Sequence, residues 1–345
     1  MSYQAESFIQ DLEKVAQTRQ EFAGYLADMA TTLEISEQLE NSSGKLGLSP
    51  VIADLNTASQ NLSSEVFRLL VLGDMKRGKS TFLNALMGEN LLPTDVNPCT
   101  AVLTILRYGP EKRVTVHFNN EQSSETLSFD AFKQRYTIRP DQAKKLEDDG
   151  SLAFPDVDYA VVEYPLSLLE KGVDFLQAAD VCPEKGVEIV DSPGLNDTEA
   201  RNQLTLDYVN SCHAILFVLS ATQQFTLGEQ RYLDNYIKDR GLTVFFLINA
   251  WDEIQNRLVN PEDESQLQEA EDRVRQVFRT NLDPYCQLEG EDVYAERTFE
   301  ISSLQALRQR LKGENGSLEG TGFGEFMQAL THFLTKERAI AELRQ

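Results

Sequence analysis

The feature that most constrains this chain is a glycine-framed loop set between an apolar strand run and an apolar helix run. Phe67-Arg68-Leu69-Leu70-Val71-Leu72 reads as a buried strand, Gly73-Asp74-Met75-Lys76-Arg77-Gly78-Lys79-Ser80 follows directly, and Ser80 to Leu86 continues as a helix. The loop matches G-x-x-x-x-G-K-[ST] in the strand–loop–helix setting that the motif requires. Its glycines allow backbone N–H groups to converge on a phosphate at the positive end of the following helix. Lys79 is expected to reach the β- and γ-phosphates and the Ser80 hydroxyl to ligate Mg²⁺, while Thr81 completes the run of nucleotide-binding residues that begins at Gly73.

Charge limits what else the chain can hold. Its 32 basic against 55 acidic residues give a net charge of −23 over 345 residues. Nucleic-acid backbones and anionic lipid are gripped by net basic surfaces, so nucleic acid is excluded as a partner and bulk electrostatic lipid binding is not expected. Cys99, Cys182, Cys212 and Cys286 are widely spaced and form no C-x-x-C pair, and His117, His213 and His332 form no zinc pattern. Residues 1–10 lack the basic and apolar regions of a signal peptide, and no apolar run approaches membrane-spanning length. The expected location is cytoplasmic.

Apolar residues at Phe8, Leu12, Val15, Phe22, Leu26, Met29 and Leu33 follow a heptad spacing, interrupted at Arg19, and predict a long bundle helix. Residues 41–45 read as a turn, and Pro50, Ile52, Leu55, Leu62 and Val66 predict a second helix. Beyond Phe67, strands are expected at Val102–Arg107, Val114–Phe118, Val187–Val190, Ala214–Leu219, Thr243–Ile248 and Phe299–Ile301, with helices at Gln266–Phe278 and Leu304–Leu311. Continuous apolar strands alternating with helices imply an α/β fold with a doubly wound, mainly parallel sheet. Gly313–Gly324 reads as a hinge, and Phe326, Leu330, Phe333 and Ile340 as a last helical stripe running to Gln345, with the N-terminal helix its natural partner. Glu170-Lys171-Gly172-Val173 recurs as Glu184-Lys185-Gly186-Val187 and reads as a small tandem insertion or a chance match.

Three further motifs follow the expected strands. Asp191-Ser192-Pro193-Gly194 would put the Asp191 carboxylate near the Mg²⁺ water shell and the Gly194 N–H near the γ-phosphate. Asn249-Ala250-Trp251-Asp252 can read guanine, because the Asp252 carboxylate accepts from N1–H and the exocyclic amine, a donor pair that adenine lacks. Ala250 stands where N-K-x-D has a Lys packing over the base, which predicts weakened affinity. Thr100 lies where a switch Thr completes Mg²⁺ coordination when the γ-phosphate is present, and Ser302-Ser303 could form the last base-contacting loop or simply cap a helix. The order of these four motifs specifies a GTPase using GTP and Mg²⁺.

With those residues in place the chain resembles the dynamin-like large GTPases, in particular the bacterial dynamin-like proteins related to mitofusins. The resemblance rests on Leu69–Thr81, Leu91 through Thr100, Asp191–Asp197 and Phe245–Asp252. It implies residues 1–65 as a helical neck segment, 66–312 as the GTPase domain and 313–345 as a hinge and neck helix, the flanking helices forming a bundle. Leu195 stands where Ras-like domains have a water-orienting Gln, so the family implies that Thr100 and backbone groups position the water. Lys76 occupies the place at which related proteins carry an internal cationic finger; either Lys76 or Arg77 could supply that charge, or both could face solvent. The family further implies self-association through paired GTPase domains, a stalk segment or partner chain supplying a lipid-inserting tip, and peripheral association with the inner membrane face. A regulatory switch that does no mechanical work and a non-catalytic scaffold stay open, although Lys79, Ser80, Thr100 and Asp191 speak against the scaffold.

Overall fold

The computed structural model describes residues 2–39, 47–63, 66–74, 76–92, 102–119, 122–136, 154–166, 168–169, 186–191, 209, 212–223, 225–238, 240–288, 290–313 and 318–334. The expectations for Met75, Thr100, Gly194, Leu195, Ile340, the turn at 41–45 and most of the repeat lie outside them. The chain divides into two compact units, Met1–Val66 and Phe67–Gln345.

In the first unit, helix α1 (Ser2–Leu39) packs along α2 (Ser49–Ser63). The buried side of α1 differs from the heptad reading. Among the described side chains, Ala23 and Ala30 are its buried positions, whereas Phe22 and Met29 are each more than half exposed. Small residues let two helix backbones approach closely, and the Ser59 hydroxyl uses that closeness to donate to the Ala23 carbonyl at 2.8 Å. Of the predicted seam, Phe22 and Met29 therefore lie to the side of the contact, while Leu26 and Leu33 are half-buried beside it.

The second unit is built on a nine-stranded sheet. Its strands are β1 (Phe67–Leu72), β2 (Thr104–Tyr108), β3 (Arg113–Phe118), β4 (Glu125–Leu127), β5 (Val157–Tyr164), β6 (Val187–Asp191), β7 (Ala214–Ser220), β8 (Thr243–Asn249) and β11 (Thr298–Glu300), with β9 (Gln287–Leu288) and β10 (Glu291–Asp292) forming a separate small hairpin. The order is β11-β8-β7-β1-β6-β2-β5-β3-β4. The block from β11 to β6 is parallel, β2 runs antiparallel to β6, and β3 and β4 close the far edge antiparallel. In the central strands, alternate side chains enter two cores. Leu69, Val71, Leu216, Val218, Phe245 and Leu247 line one; Leu70, Leu72, Ile215, Phe217, Phe246 and Ile248 line the other.

Helices α3 (Lys79–Met87), α4 (Phe129–Tyr136), α5 (Leu227–Tyr236), α6 (Glu253–Asn256), α7 (Glu264–Leu282), α8 (Tyr294–Arg297), α9 (Ser303–Leu311) and α10 (Phe323–His332), with a 3-10 turn at Asp283–Tyr285, accompany the strands. The predicted C-terminal stripe is buried in this same unit. Phe326 meets Phe82 and Phe299 edge-on, and Phe333 meets Phe67 and Phe245. The helix expected beyond a hinge thus contributes to the core beneath the phosphate loop.

Candidate nucleotide site

The parallel block places four loops at one edge, outside the carboxyl ends of β1, β7, β8 and β11, with the end of β6 among them, where open α/β sheets bind ligands. The first is the loop from Gly73 to Gly78. Gly73 has φ 146°, and a Cβ there would lie 2.3 Å from the Val218 carbonyl oxygen of β7. Gly78 has φ 90°, and its Cβ would lie 2.3 Å from Asn249 Nδ2. Both glycines therefore answer to close backbone approach as well as to conformation. Lys76 also adopts the left-handed region, at φ 62°, with an exposed side chain. Lys79 opens α3 and is buried; its Nζ donates to the carbonyls of Gly73 at 2.7 Å and Asp74 at 3.1 Å. The ammonium is thus held across the mouth of the loop.

Asp191 ends β6 in register with Val71 of β1, and its carboxylate is fully buried. The Ser80 hydroxyl and this carboxylate are hard oxygen donors of the kind that suits a phosphate-bound divalent cation such as Mg²⁺. Those two residues would hold the ion, and Thr100, the third predicted ligand, lies outside the described residues.

The Arg77 side chain is committed elsewhere. Its Nε donates to Glu229 Oε1 at 2.8 Å, one terminal nitrogen to Glu229 Oε2 at 3.0 Å, and the other to Gln223 Oε1 at 2.7 Å. Arg77 is nearly buried and Glu229 completely so. Burial pushes the Glu229 carboxyl above its ordinary range, against the opposing effects of the Thr226 N–H and the Arg77 guanidinium. Thr226 N-caps α5 in a reciprocal capping box with Glu229, and its hydroxyl lies 3.3 Å from Asp74 Oδ2. Arg77 is therefore a strut between the phosphate loop and α5, and of the two candidate cationic fingers Lys76 has the side chain placed at the surface.

The last two loops meet each other. Asn249 is buried; its Nδ2 donates to the Arg77 carbonyl at 2.9 Å, and its Oδ1 accepts from the Ser303 N–H at 3.1 Å. The Asp252 N–H donates to Ser302 Oγ at 3.1 Å, and the Trp251 N–H to the Ile301 carbonyl at 3.2 Å. Ser302 stands at the N-cap of α9, yet its hydroxyl makes no capping bond there. Ala250 sits at φ 59°, and the Trp251 ring is covered by Arg275 while its Nε1 donates to Glu271. The structure thus brings together Gly73, Asp74, Lys76, Arg77, Gly78, Lys79, Ser80, Thr81, Asp191, Asn249, Asp252, Ser302 and Ser303 around one edge.

This arrangement is matched in known proteins. The family model described as "Dynamin family" matches residues 69–251, just over half of the chain. The chain belongs to the dynamin family. A second model, for the helical domain of bacterial dynamin-like proteins, matches residues 306–345 of this dynamin-family chain. A "Bacterial dynamin-like protein" of Nostoc punctiforme is 62% identical over 98% of this chain and 47% of its own length. "Mitofusin FZO1" of Saccharomyces cerevisiae is 22% identical over 59% of this chain and 24% of its own. The chain therefore spans about half, or less, of the length of these curated relatives. Among solved structures, one titled as an oligomerised bacterial dynamin pair with a mechanism for long-range sensing and tethering of membranes aligns with a TM-score of 0.53 at 18% identity, covering 93% of this chain and 45% of that one. That likeness shows the dynamin GTPase fold, and the family is one of GTP-hydrolysing enzymes. Among the described residues, no helix is long and apolar enough to cross a membrane.

The sequence reading did not single out Gln223, Thr226 or Glu229, which brace the phosphate loop. Only Thr226-Leu227-Gly228-Glu229 carried a local signal, the capping-box spacing.

Proposed function

We propose that this chain binds GTP with Mg²⁺ and hydrolyses it to GDP and phosphate, within a dynamin-like protein that couples paired GTPase domains to motion of adjoining helices. The observation that carries the reading is the Asn249 side chain, which spans from the Arg77 carbonyl of the phosphate loop to the Ser303 N–H of the base loop. One residue thereby sets the distance between a phosphate subsite and a guanine subsite. In this reading Lys79 and the Gly73–Ser80 N–H groups hold the phosphates, and Ser80, Thr100 and Asp191 hold the ion, Asp191 through water. Thr100 and the Gly194 N–H orient the attacking water at the γ-phosphate. Asp252 reads guanine beside Ser302, and Lys76 neutralises developing charge. The bound Mg²⁺ would supply Lewis-acid stabilisation of the phosphoryl oxygens. The oligomerised pair and membrane tethering named for the structural neighbour support self-association and peripheral membrane work.

The test is steady-state hydrolysis of GTP and ATP against protein concentration. Preference for GTP and a specific activity rising with concentration are the expected results. A flat response would favour a solitary switch, and equal use of ATP would overturn the guanine assignment.

The loop after β8 yields a second prediction. Ala250 already stands in the left-handed region, so Ala250→Lys introduces no new backbone strain while adding an aliphatic stem over the base. Covering about 40 Å² of apolar surface is worth about 1 kcal/mol, so GDP should bind about fivefold tighter by calorimetry. Unchanged affinity would remove Asn249 and Asp252 from the base subsite.

A further inference from the structure

The base loop is fastened at two ends. One is the Asn249–Ser303 and Asp252–Ser302 pairing already described. The other is a short junction ahead of α10, where the Ser302 N–H donates to the Thr321 carbonyl at 2.9 Å. Thr321 is almost fully buried; its hydroxyl donates to the Leu318 carbonyl at 2.6 Å and lies 3.4 Å from the Phe323 N–H. Gly322, at φ 66°, follows as the N-cap of α10, and a Cβ there would lie 1.8 Å from the Glu300 carbonyl oxygen and 3.5 Å from Ile301 Cα. The backbone of the junction is thus pressed against the last residue of β11, one step before the loop that carries Ile301, Ser302 and Ser303.

Helix α10 is equally tied to the phosphate side. Phe323 and Phe326 both pack on Phe82, which lies in the first turn of α3, two residues beyond Ser80. Phe326 also meets Phe299 of β11. The segment matched by the helical-domain model begins at residue 306, within α9, so α10 lies inside that segment and is at the same time a wall of the nucleotide-binding unit.

We propose that the Thr321–Gly322 junction is a positioning element for the guanine subsite, so that α10 and the base loop are ordered as one piece. Resting on the GTP reading above, this makes base selectivity depend on a segment that lies outside the four nucleotide motifs. It also gives the helical segment a direct route to the base as well as to the phosphates. Reciprocity follows: whatever orders the base loop orders the start of α10, and a displaced α10 loosens the base.

The test uses the full chain. Gly322→Ala forces the Glu300 carbonyl to shift and should lower the ratio of GTP to ATP affinity by about tenfold or more, while tripolyphosphate binding stays within about twofold. General destabilisation would weaken all three ligands together. Because the variant could fail to fold, amide hydrogen exchange on the unaltered chain supplies the second measurement: GDP should raise protection at Thr321–Phe323 together with Ile301–Ser303. If GDP binds and protects Ile301–Ser303 alone, or if a folded Gly322→Ala keeps its GTP preference, the inference fails and the GTP reading stands. If the unaltered chain binds tripolyphosphate but shows no preference for guanine, both fall.

Discussion

Lys79→Ala is expected to abolish measurable GTP turnover and to weaken GDP binding by about a hundredfold. Two effects combine. The ammonium is buried and its Nζ bonds to the Gly73 and Asp74 carbonyls pull the first two residues of the loop inward, toward the helix start. Removing it frees those carbonyls and lets the loop relax away from the shape in which its N–H groups converge. In the proposed reading the same ammonium meets phosphate charge, and charge-assisted hydrogen bonds are worth about 1.5–3 kcal/mol each, or about tenfold to a hundredfold in affinity. Losing one electrostatic contact to the developing transition state lowers turnover by a further factor of about 10²–10³. Calorimetry with GDP and a phosphate-release assay with GTP check the two parts separately. A variant that binds GDP normally and loses only turnover would confine Lys79 to the γ-phosphate.

Much of this site was legible because its signals are local. The phosphate loop, the Asp ending β6 and the Asn–Asp pair after β8 each occupy a few consecutive residues behind an apolar strand, and the parallel sheet brings such strand ends together. What sequence reasoning missed depends on distance along the chain. Arg77 and Glu229 stand 152 residues apart, and nothing near Arg77 distinguishes a strut from a surface cation. The Thr226–Glu229 spacing is visible as a capping box, but the box does not name the guanidinium that fills it. Gly322 looks like one glycine of a hinge; only the Glu300 carbonyl against it explains why no side chain fits.

One strand was missed and one helix face was read only in part. Strand β5 mixes Asp158, Tyr159 and Glu163 with its apolar residues because it pairs near the mixed edge, so it does not show the unbroken apolar run of β7 or β8. In α1 the spacing was followed through Phe22 and Met29, while the close contact selects Ala23 and Ala30. Periodicity identified the helix; side-chain size decided which face is covered.

Glu229→Leu is expected to be strongly destabilising to the second unit. Glu229 has no exposed surface and the Arg77 side chain almost none, so leucine leaves a guanidinium buried without its bidentate partner. Breaking a buried pair in this way costs about 3–5 kcal/mol, and loss of the reciprocal cap on α5 adds about 1 kcal/mol. Against a typical total of about 5–15 kcal/mol, the variant should unfold at markedly lower denaturant or fail to fold. The informative companion is Arg77→Met with Glu229→Leu. Replacing both charges by apolar groups of similar volume is commonly neutral or stabilising, so the double variant should recover most of the denaturation midpoint. Nucleotide binding then separates the roles of the pair. The strut fixes Arg77, and the Arg77 carbonyl is the acceptor that orients Asn249 Nδ2. A double variant that folds well yet binds GDP at least several-fold more weakly would show that the ion pair aligns the phosphate loop with the base loop. Full recovery of both stability and affinity would reduce the pair to a packing feature, with the loop held in place by its glycines and Lys79 alone.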